Sequence, residues 1–154
     1  MRLAAENFIA ENIAQTPNIP DTWYQLGIVK KDTNELIGDI GIHFIGYENN
    51  QVEIGYTLDP EYQRKGYATE VVKSLIDYLF FTLKKHRVSA SLDPVNVKSI
   101  ALLERVGMRK EALFKKSLWI KGQWEDDLIY GILEEEWYSK NGVSGTVHLT
   151  VHQN

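Results

Sequence analysis

Apolar residues recur along this chain with two periods, one near two and one near 3.6, and the change between them separates a strand-rich first half from a second half that contains helices. Residues 2–14 set Leu3, Phe8, Ile9 and Ile13 among polar neighbours at a spacing that predicts a short amphipathic helix. Pro17 and Pro20 then break the chain. Trp23 to Val29, rich in aromatic and β-branched residues, predicts a strand, and Lys31 to Asn34 a turn. Leu36 to Ile45 predicts the next strand and Tyr47 to Asn50 the next turn. Val52, Ile54, Tyr56 and Leu58 then alternate with Glu53, Gly55 and Thr57, which predicts a strand with one apolar face. The first half therefore reads as an antiparallel meander behind a helix.

In the second half Ala68, Val71, Val72, Leu75, Ile76, Leu79 and Leu83 follow the i, i+3, i+4, i+7 rule of a core-facing helix. It closes on Lys84, Lys85, His86 and Arg87, where the helix dipole favours cations. Arg87 to Leu92 predicts a short strand. Asn96 opens a second helix carrying Ile100, Leu103 and Val106, with Gly107 as its stop. Strands are expected near 111–120 and 124–133, joined at Lys121-Gly122-Gln123. The succession strand 52–58, helix 67–84, strand 87–92 implies parallel pairing through a right-handed crossover. The expected fold class is α+β, or α/β, with a mixed sheet. The stretch Asn141 to Gly145 is flexible in composition, and Thr146 to Val151 has strand character with no assigned role.

With 154 residues, 44% of them hydrophobic, the chain suits one domain with its own core. The formal net charge of −4 and the lack of a basic run argue against a phosphate-tracking nucleic-acid surface. There is no cysteine, which removes disulfides, thiolate metal sites and a cysteine nucleophile together. No His/Asp/Glu spacing argues for a metal. Met1 to Ala14 mixes Arg2, Glu6, Asn7 and Glu11 with its apolar residues and does not read as a signal peptide. No apolar run approaches the roughly 20 residues that span a bilayer. A soluble, cytoplasmic protein without membrane contact is the expectation.

The chemistry is concentrated at the junction between the strand ending at Leu58-Asp59-Pro60 and the helix starting near Gly66. A helix N-terminus offers unpaired N–H groups and partial positive charge, which suit a phosphate oxygen. Gly66 removes the Cβ that would obstruct close approach, Ala68 is small, and Arg64 and Lys65 add positive charge. There is no G-x-x-x-x-G-K-[ST] sequence, and Gly38, Gly41 and Gly46 lie within or at the end of a strand, so neither a nucleoside triphosphate loop nor a dinucleotide turn is present. The plainer reading is a helix start with a chance glycine and two solvated cations.

Leu58 to Thr69 (LDPEYQRKGYAT) resembles motif A of the GNAT N-acetyltransferase superfamily, whose core is Q/R-x-x-G-x-G/A. Asn96-Val97-Lys98-Ser99 with Ala101 to Met108 resembles the motif B helix, and Trp124 to Tyr130 resembles the final strand of the ribosomal-protein-alanine N-acetyltransferase branch. The resemblance covers roughly residues 3–138. It implies a mostly antiparallel sheet with a parallel βαβ pair splayed at the cofactor site, a single N-acetyltransferase domain at 1–138 and a tail at 139–154. It also implies acetyl-coenzyme A as acyl donor and a primary amine as acceptor, a protein N-terminus or a small amine.

Carried over by position, the resemblance implies that backbone N–H groups around Gln63, Arg64, Lys65, Gly66, Tyr67, Ala68 and Thr69 hold the pyrophosphate. Thr57 and Leu58 would pair with the pantetheine arm, a backbone N–H near Leu58 would serve the oxyanion, and Asn96 and Ser99 would face the thioester end. Glu53 is the candidate base, against the alternatives of an ordinary strand carboxylate or a water relay. Leu103 stands where many relatives carry an acidic tyrosine, so Ser99 is the candidate donor to the sulfur, with helix capping as its other reading. His43 reads chiefly as structural, with room for acceptor contact. Trp119, Trp124 and Tyr130 read as core or acceptor-site wall, and Glu125, Asp126 and Asp127 as a cluster that is either solvated or attracts a cationic amine.

The family's usual opening strand and helix, before the segment like Leu3–Ile13, are not matched in this sequence. A non-catalytic acyl-coenzyme A sensor or interaction module is therefore the rival to an enzyme, and a nucleotide-binding regulator is a third class. An uncovered edge strand is a liability, so the sheet edge is expected to be covered by a partner chain, as in a homodimer, or by 146–151.

Overall fold

The computed structural model describes residues 2–4, 8–12, 21–45, 50–62 and 66–141. The strands are β1 (Arg2–Ala4), β2 (Phe8–Asn12), β3 (Thr22–Lys30), β4 (Leu36–Ile45), β5 (Gln51–Leu58), β6 (Arg87–Leu92), β7 (Arg109–Ile120) and β8 (Gln123–Leu133). The helices are α1 (Tyr67–Asp77), α2 (Val97–Arg105) and α3 (Glu134–Asn141). The strands form one sheet in the order β1-β2-β3-β4-β5-β6-β8-β7. Among the described residues only the β5–β6 pair is parallel.

The expected helix at 2–14 is not formed. Arg2–Ala4 and Phe8–Asn12 are antiparallel strands, and β2 pairs along β3 from Phe8↔Lys30 to Asn12↔Leu26. A short apolar run satisfies either period, and the edge main chain of β3 decides between them by supplying hydrogen-bond partners, a tertiary choice that local spacing does not encode.

The alternation in β3, β4 and β5 sends Tyr24, Leu26, Ile28, Ile40, Ile42, Phe44, Val52, Ile54 and Leu58 into one core. Val71, Val72, Leu75 and Ile76 of α1 join it, with Leu102 and Leu103 of α2. The long helix expected over 67–84 is α-helical to Asp77 and continues as a π-helical turn over Tyr78–Thr82. The sequence reading did not include α3. Its three glutamates occupy the first turn and Lys140 the last, as the dipole favours. Trp137 of α3 is buried, and its indole N–H donates to Asp77 Oδ1 at 2.7 Å, tying α3 to α1. Burial pushes the Asp77 carboxyl up, against the opposing Trp137 hydrogen bond and Lys73 charge. Helix α3 extends past residue 138 to Asn141, and Thr146–Val151 lies outside the described residues.

Candidate active site

The ladder between β5 and β6 is brief. It consists of Gln51↔Arg87, Val52↔Val88 and Glu53↔Ser89, although β5 runs on to Leu58 and β6 to Leu92. Past Glu53 the parallel strands are no longer paired with each other, so the sheet divides. A cleft of about 480 Å³ is lined by Tyr56, Thr57 and Leu58 from β5, by Gly66, Ala68 and Thr69 at the start of α1, and by Asn96, Lys98, Ser99, Ala101, Leu102 and Arg105 on α2. That volume lies in the usual range for a small-molecule pocket.

The two helix starts facing the cleft differ. Helix α2 is capped internally, because Asn96 Oδ1 accepts the Ser99 backbone N–H at 3.2 Å. Asn96 thus carries the capping role once shared between the two residues, and the Ser99 hydroxyl is not the cap. Helix α1 has Gly66 as N-cap, left-handed at φ 78, with no side-chain cap. Gly66 itself has no side chain to offer as a cap, and a Cβ built there would meet no atom of the described residues within 4 Å. Arg105 donates to Thr69 Oγ1 at 2.9 Å, linking α2 to α1 and setting a guanidinium at the cleft wall. The charge and backbone geometry suit an anionic ligand.

Seven of the sequence-predicted residues meet at this cleft: Thr57, Leu58, Gly66, Ala68, Thr69, Asn96 and Ser99. Tyr67 points elsewhere. Its ring packs on the core, with the Lys30 ammonium 5.9 Å from the ring centroid. Gln63, Arg64 and Lys65 lie outside the described residues. Sequence reasoning missed Lys98, Ala101, Leu102 and Arg105, although their i, i+3, i+4, i+7 spacing marks one helix face. It also missed Tyr56, assigned correctly to the apolar face of its strand but placed where that face leaves the core and enters the cleft. Burial raises the Tyr56 phenol above its ordinary value, with Ser99 opposing the shift. The two hydroxyls nevertheless make no hydrogen bond of ordinary geometry, because Tyr56 Oη is enclosed and without a partner among the described residues.

Glu53 does not line the cleft. It sits at the vertex of the division, on the opposite face of the sheet, in the cross-strand row Trp23–His43–Glu53–Ser89. Trp23 stacks on His43 at 4.7 Å, and His43 Nδ1 lies 3.9 Å from Glu53 Oε2, too far for a hydrogen bond. His43 and Glu53 keep 25% and 29% of their side-chain surface exposed, so this row is open to an approaching molecule. Tyr130 is buried and donates to Glu104 at 2.7 Å, whereas Trp119 and Trp124 are 61% and 57% exposed and pack edge-to-face on each other. These two tryptophans are not core, and nearly every residue of β7 is exposed with them. Asp126 accepts the Lys116 backbone N–H at 2.8 Å and Asp127 accepts the Ser91 hydroxyl, so two of the three acidic residues brace strands. Among the described residues no group of three or more His, Cys, Asp or Glu could hold a metal, and no helix is long and apolar enough to cross a membrane.

A family model described as the acetyltransferase (GNAT) domain matches residues 2–109. The chain is 35% identical over 120 residues to YnaD, an uncharacterized N-acetyltransferase of Bacillus subtilis (strain 168), covering 78% of this chain and 70% of that one. It is 30% identical over 115 residues to the [ribosomal protein uS5]-alanine N-acetyltransferase of Escherichia coli (strain K12), covering 74% of this chain and 59% of that one. A solved acetyltransferase (GNAT family) from Bacillus anthracis superposes with a TM-score of 0.77 at 25% identity, covering 88% of this chain and 99% of that chain. Across its first five curated relatives the chain spans between 56 and 70% of their length.

Proposed function

This chain belongs to the acetyltransferase (GNAT) domain family, and from that premise we propose that it transfers the acetyl group of acetyl-coenzyme A to a primary amine by direct attack in a ternary complex. The observation that carries the reading is the division of β5 from β6 beyond Glu53↔Ser89, with a helix start whose N-cap is a left-handed glycine at one end of the resulting cleft. An extended amide-bearing arm can take the place of the missing strand pairing. The N–H groups at Gly66–Thr69 would hold phosphate oxygens, with Arg105 and Lys98 adding charge. Gln63, Arg64 and Lys65 complete that turn in sequence. The bound donor supplies a thioester carbonyl, activated toward amines without a metal.

On the other face, Glu53 is proposed as the base that takes the ammonium proton, with His43 and Trp23 beside it as the wall met by the acceptor. The division of the sheet joins the two faces at Glu53, so an amine from one side can reach an acyl group from the other. The E. coli relative's name points to a protein α-amino group, and an N-terminal alanine peptide is the acceptor we favour. Cytoplasmic location and self-association as a homodimer belong to the same proposal. The β7 edge with exposed Phe114, Trp119 and Ile120, and Trp124 beside it on β8, is the contact surface proposed for the homodimer.

The test is thiol release from acetyl-coenzyme A over a panel of amines and N-terminal peptides, beside calorimetric titration with acetyl-coenzyme A and ATP. Release with one acceptor class, and preference for the coenzyme over ATP, are expected. Tight coenzyme binding with no release above hydrolysis would establish the sensor instead, and tighter ATP binding the nucleotide regulator. Glu53→Gln should lower turnover with little change in affinity for acetyl-coenzyme A. Unchanged turnover would return the base to a water relay.

A further inference from the structure

The cleft contains one polar group that neither the fold nor the coenzyme-binding reading explains. Tyr56 Oη is shielded from solvent and has no hydrogen-bond partner among the described residues. A buried hydroxyl left unpaired forfeits its hydration without compensation, and such groups in native structures call for an explanation. The ring projects from β5 three residues past the last pair with β6, and Ser99 stands with it in the cleft lining. Two other polar atoms of the lining are already engaged. Asn96 Oδ1 caps α2 and Thr69 Oγ1 accepts from Arg105. Leu103 of α2, outside the lining, is 1% exposed and packed in the core, without a proton to give.

We propose that Tyr56 is a catalytic residue whose phenolic O–H donates a proton to the departing sulfur, with Ser99 as the second hydroxyl at that atom. This rests on the acetyl-transfer reading of the cleft. In the step, the amine nitrogen forms a bond to the acetyl carbon and the carbon–sulfur bond breaks, its electron pair staying on sulfur. The sulfur takes the Tyr56 proton. The amine gives up one proton to Glu53 or solvent, and one returning from solvent restores the phenol. Amine and thioester become amide and thiol, with no net proton and no further reactant. A phenol, near 10, lies far closer than a serine hydroxyl to a thiol, near 8.5, so proton transfer from it is better matched. Burial keeps the phenol in its protonated, donating form.

Tyr56→Phe keeps the ring and removes the proton. With the best acceptor from the panel, kcat should fall about 10²-fold, the lower end for general acid catalysis, while KM for acetyl-coenzyme A changes little. The loss should shrink toward none with an acetyl thioester of an aryl thiol, which leaves without a proton. Independently of turnover, the wild type should bind coenzyme A more tightly than its desulfo analogue, and Tyr56→Phe should bind the two alike. A variant kcat within twofold of wild type, or equal losses with alkyl and aryl thioesters, would overturn the assignment. So would a wild type that does not distinguish coenzyme A from the desulfo form, a result that needs no variant. Absence of thiol release from the wild type with every acceptor would instead remove the acetyl-transfer reading, and this assignment with it.

Discussion

Replacing Gly66 separates a backbone cost from a ligand cost, because the fold contains a matched control. Gly66 and Gly122 have nearly the same left-handed φ, 78 and 79, and a Cβ built at either meets nothing within 4 Å. One lies at the cleft and the other at the tip of the β7–β8 hairpin. Adding a Cβ in this conformation costs about 1–2 kcal/mol. For a chain of 154 residues each kcal/mol lowers Tm by roughly 2–4 °C. Gly66→Ala and Gly122→Ala should therefore melt alike, a few degrees below wild type. Gly66→Glu adds a carboxylate beside the proposed phosphates. At about 4 Å and an effective dielectric near 20 the repulsion is roughly 4 kcal/mol, or about 10³-fold in Kd. Screening in an open cleft reduces this toward about 10²-fold. Scanning calorimetry gives the first quantity and titration with acetyl-coenzyme A the second. Gly66→Glu affinity within threefold of wild type, or equal loss in Gly122→Ala, would refute the placement of the phosphates.

Asn96→Ala should cost about 1 kcal/mol in denaturant unfolding through its lost cap, whereas Ser99→Ala, which keeps the cap, should leave stability unchanged and lower turnover. The Asp77 carboxyl titrates above its ordinary 3.8 in the fold, so its favourable contribution is complete below that value and is lost as pH rises through the folded pKa. Asp77→Asn should flatten urea stability against pH above 3.8 and gain relative to wild type at neutral pH. A parallel curve would contradict the cause assigned. Trp119→Ser with Trp124→Ser should convert a dimer to monomer in light scattering while leaving coenzyme affinity unchanged.

Where a segment's period and its burial agree, the sequence was readable. β4 and β6 occupy the ranges expected, and β5 begins one residue early, at Gln51. The junction between β5 and α1 was legible as a strand–turn–helix, since Gly66 and Ala68 place small side chains where the helix begins. The N-terminal strands were not, because residues 2–12 gain their partners from β3 and carry little local signal. Helix α3 went unread after the strand at 124–133, although the three glutamates ahead of Trp137 and Tyr138 mark a helix start. Tyr56 is the instructive case. Alternation correctly gave its face, but the end of pairing at Glu53↔Ser89 makes the same face core at Ile54 and cleft at Tyr56. That end of pairing arises between elements distant in sequence, so no local pattern announces it.

Mass spectrometry of an N-terminal alanine peptide incubated with the chain and acetyl-coenzyme A reads acetyl transfer itself. One acetyl group on the α-amine is expected, formed by wild type and lost with Gly66→Glu. A peptide of unchanged mass, together with unmodified members of the whole amine panel while the coenzyme is tightly bound, would contradict it.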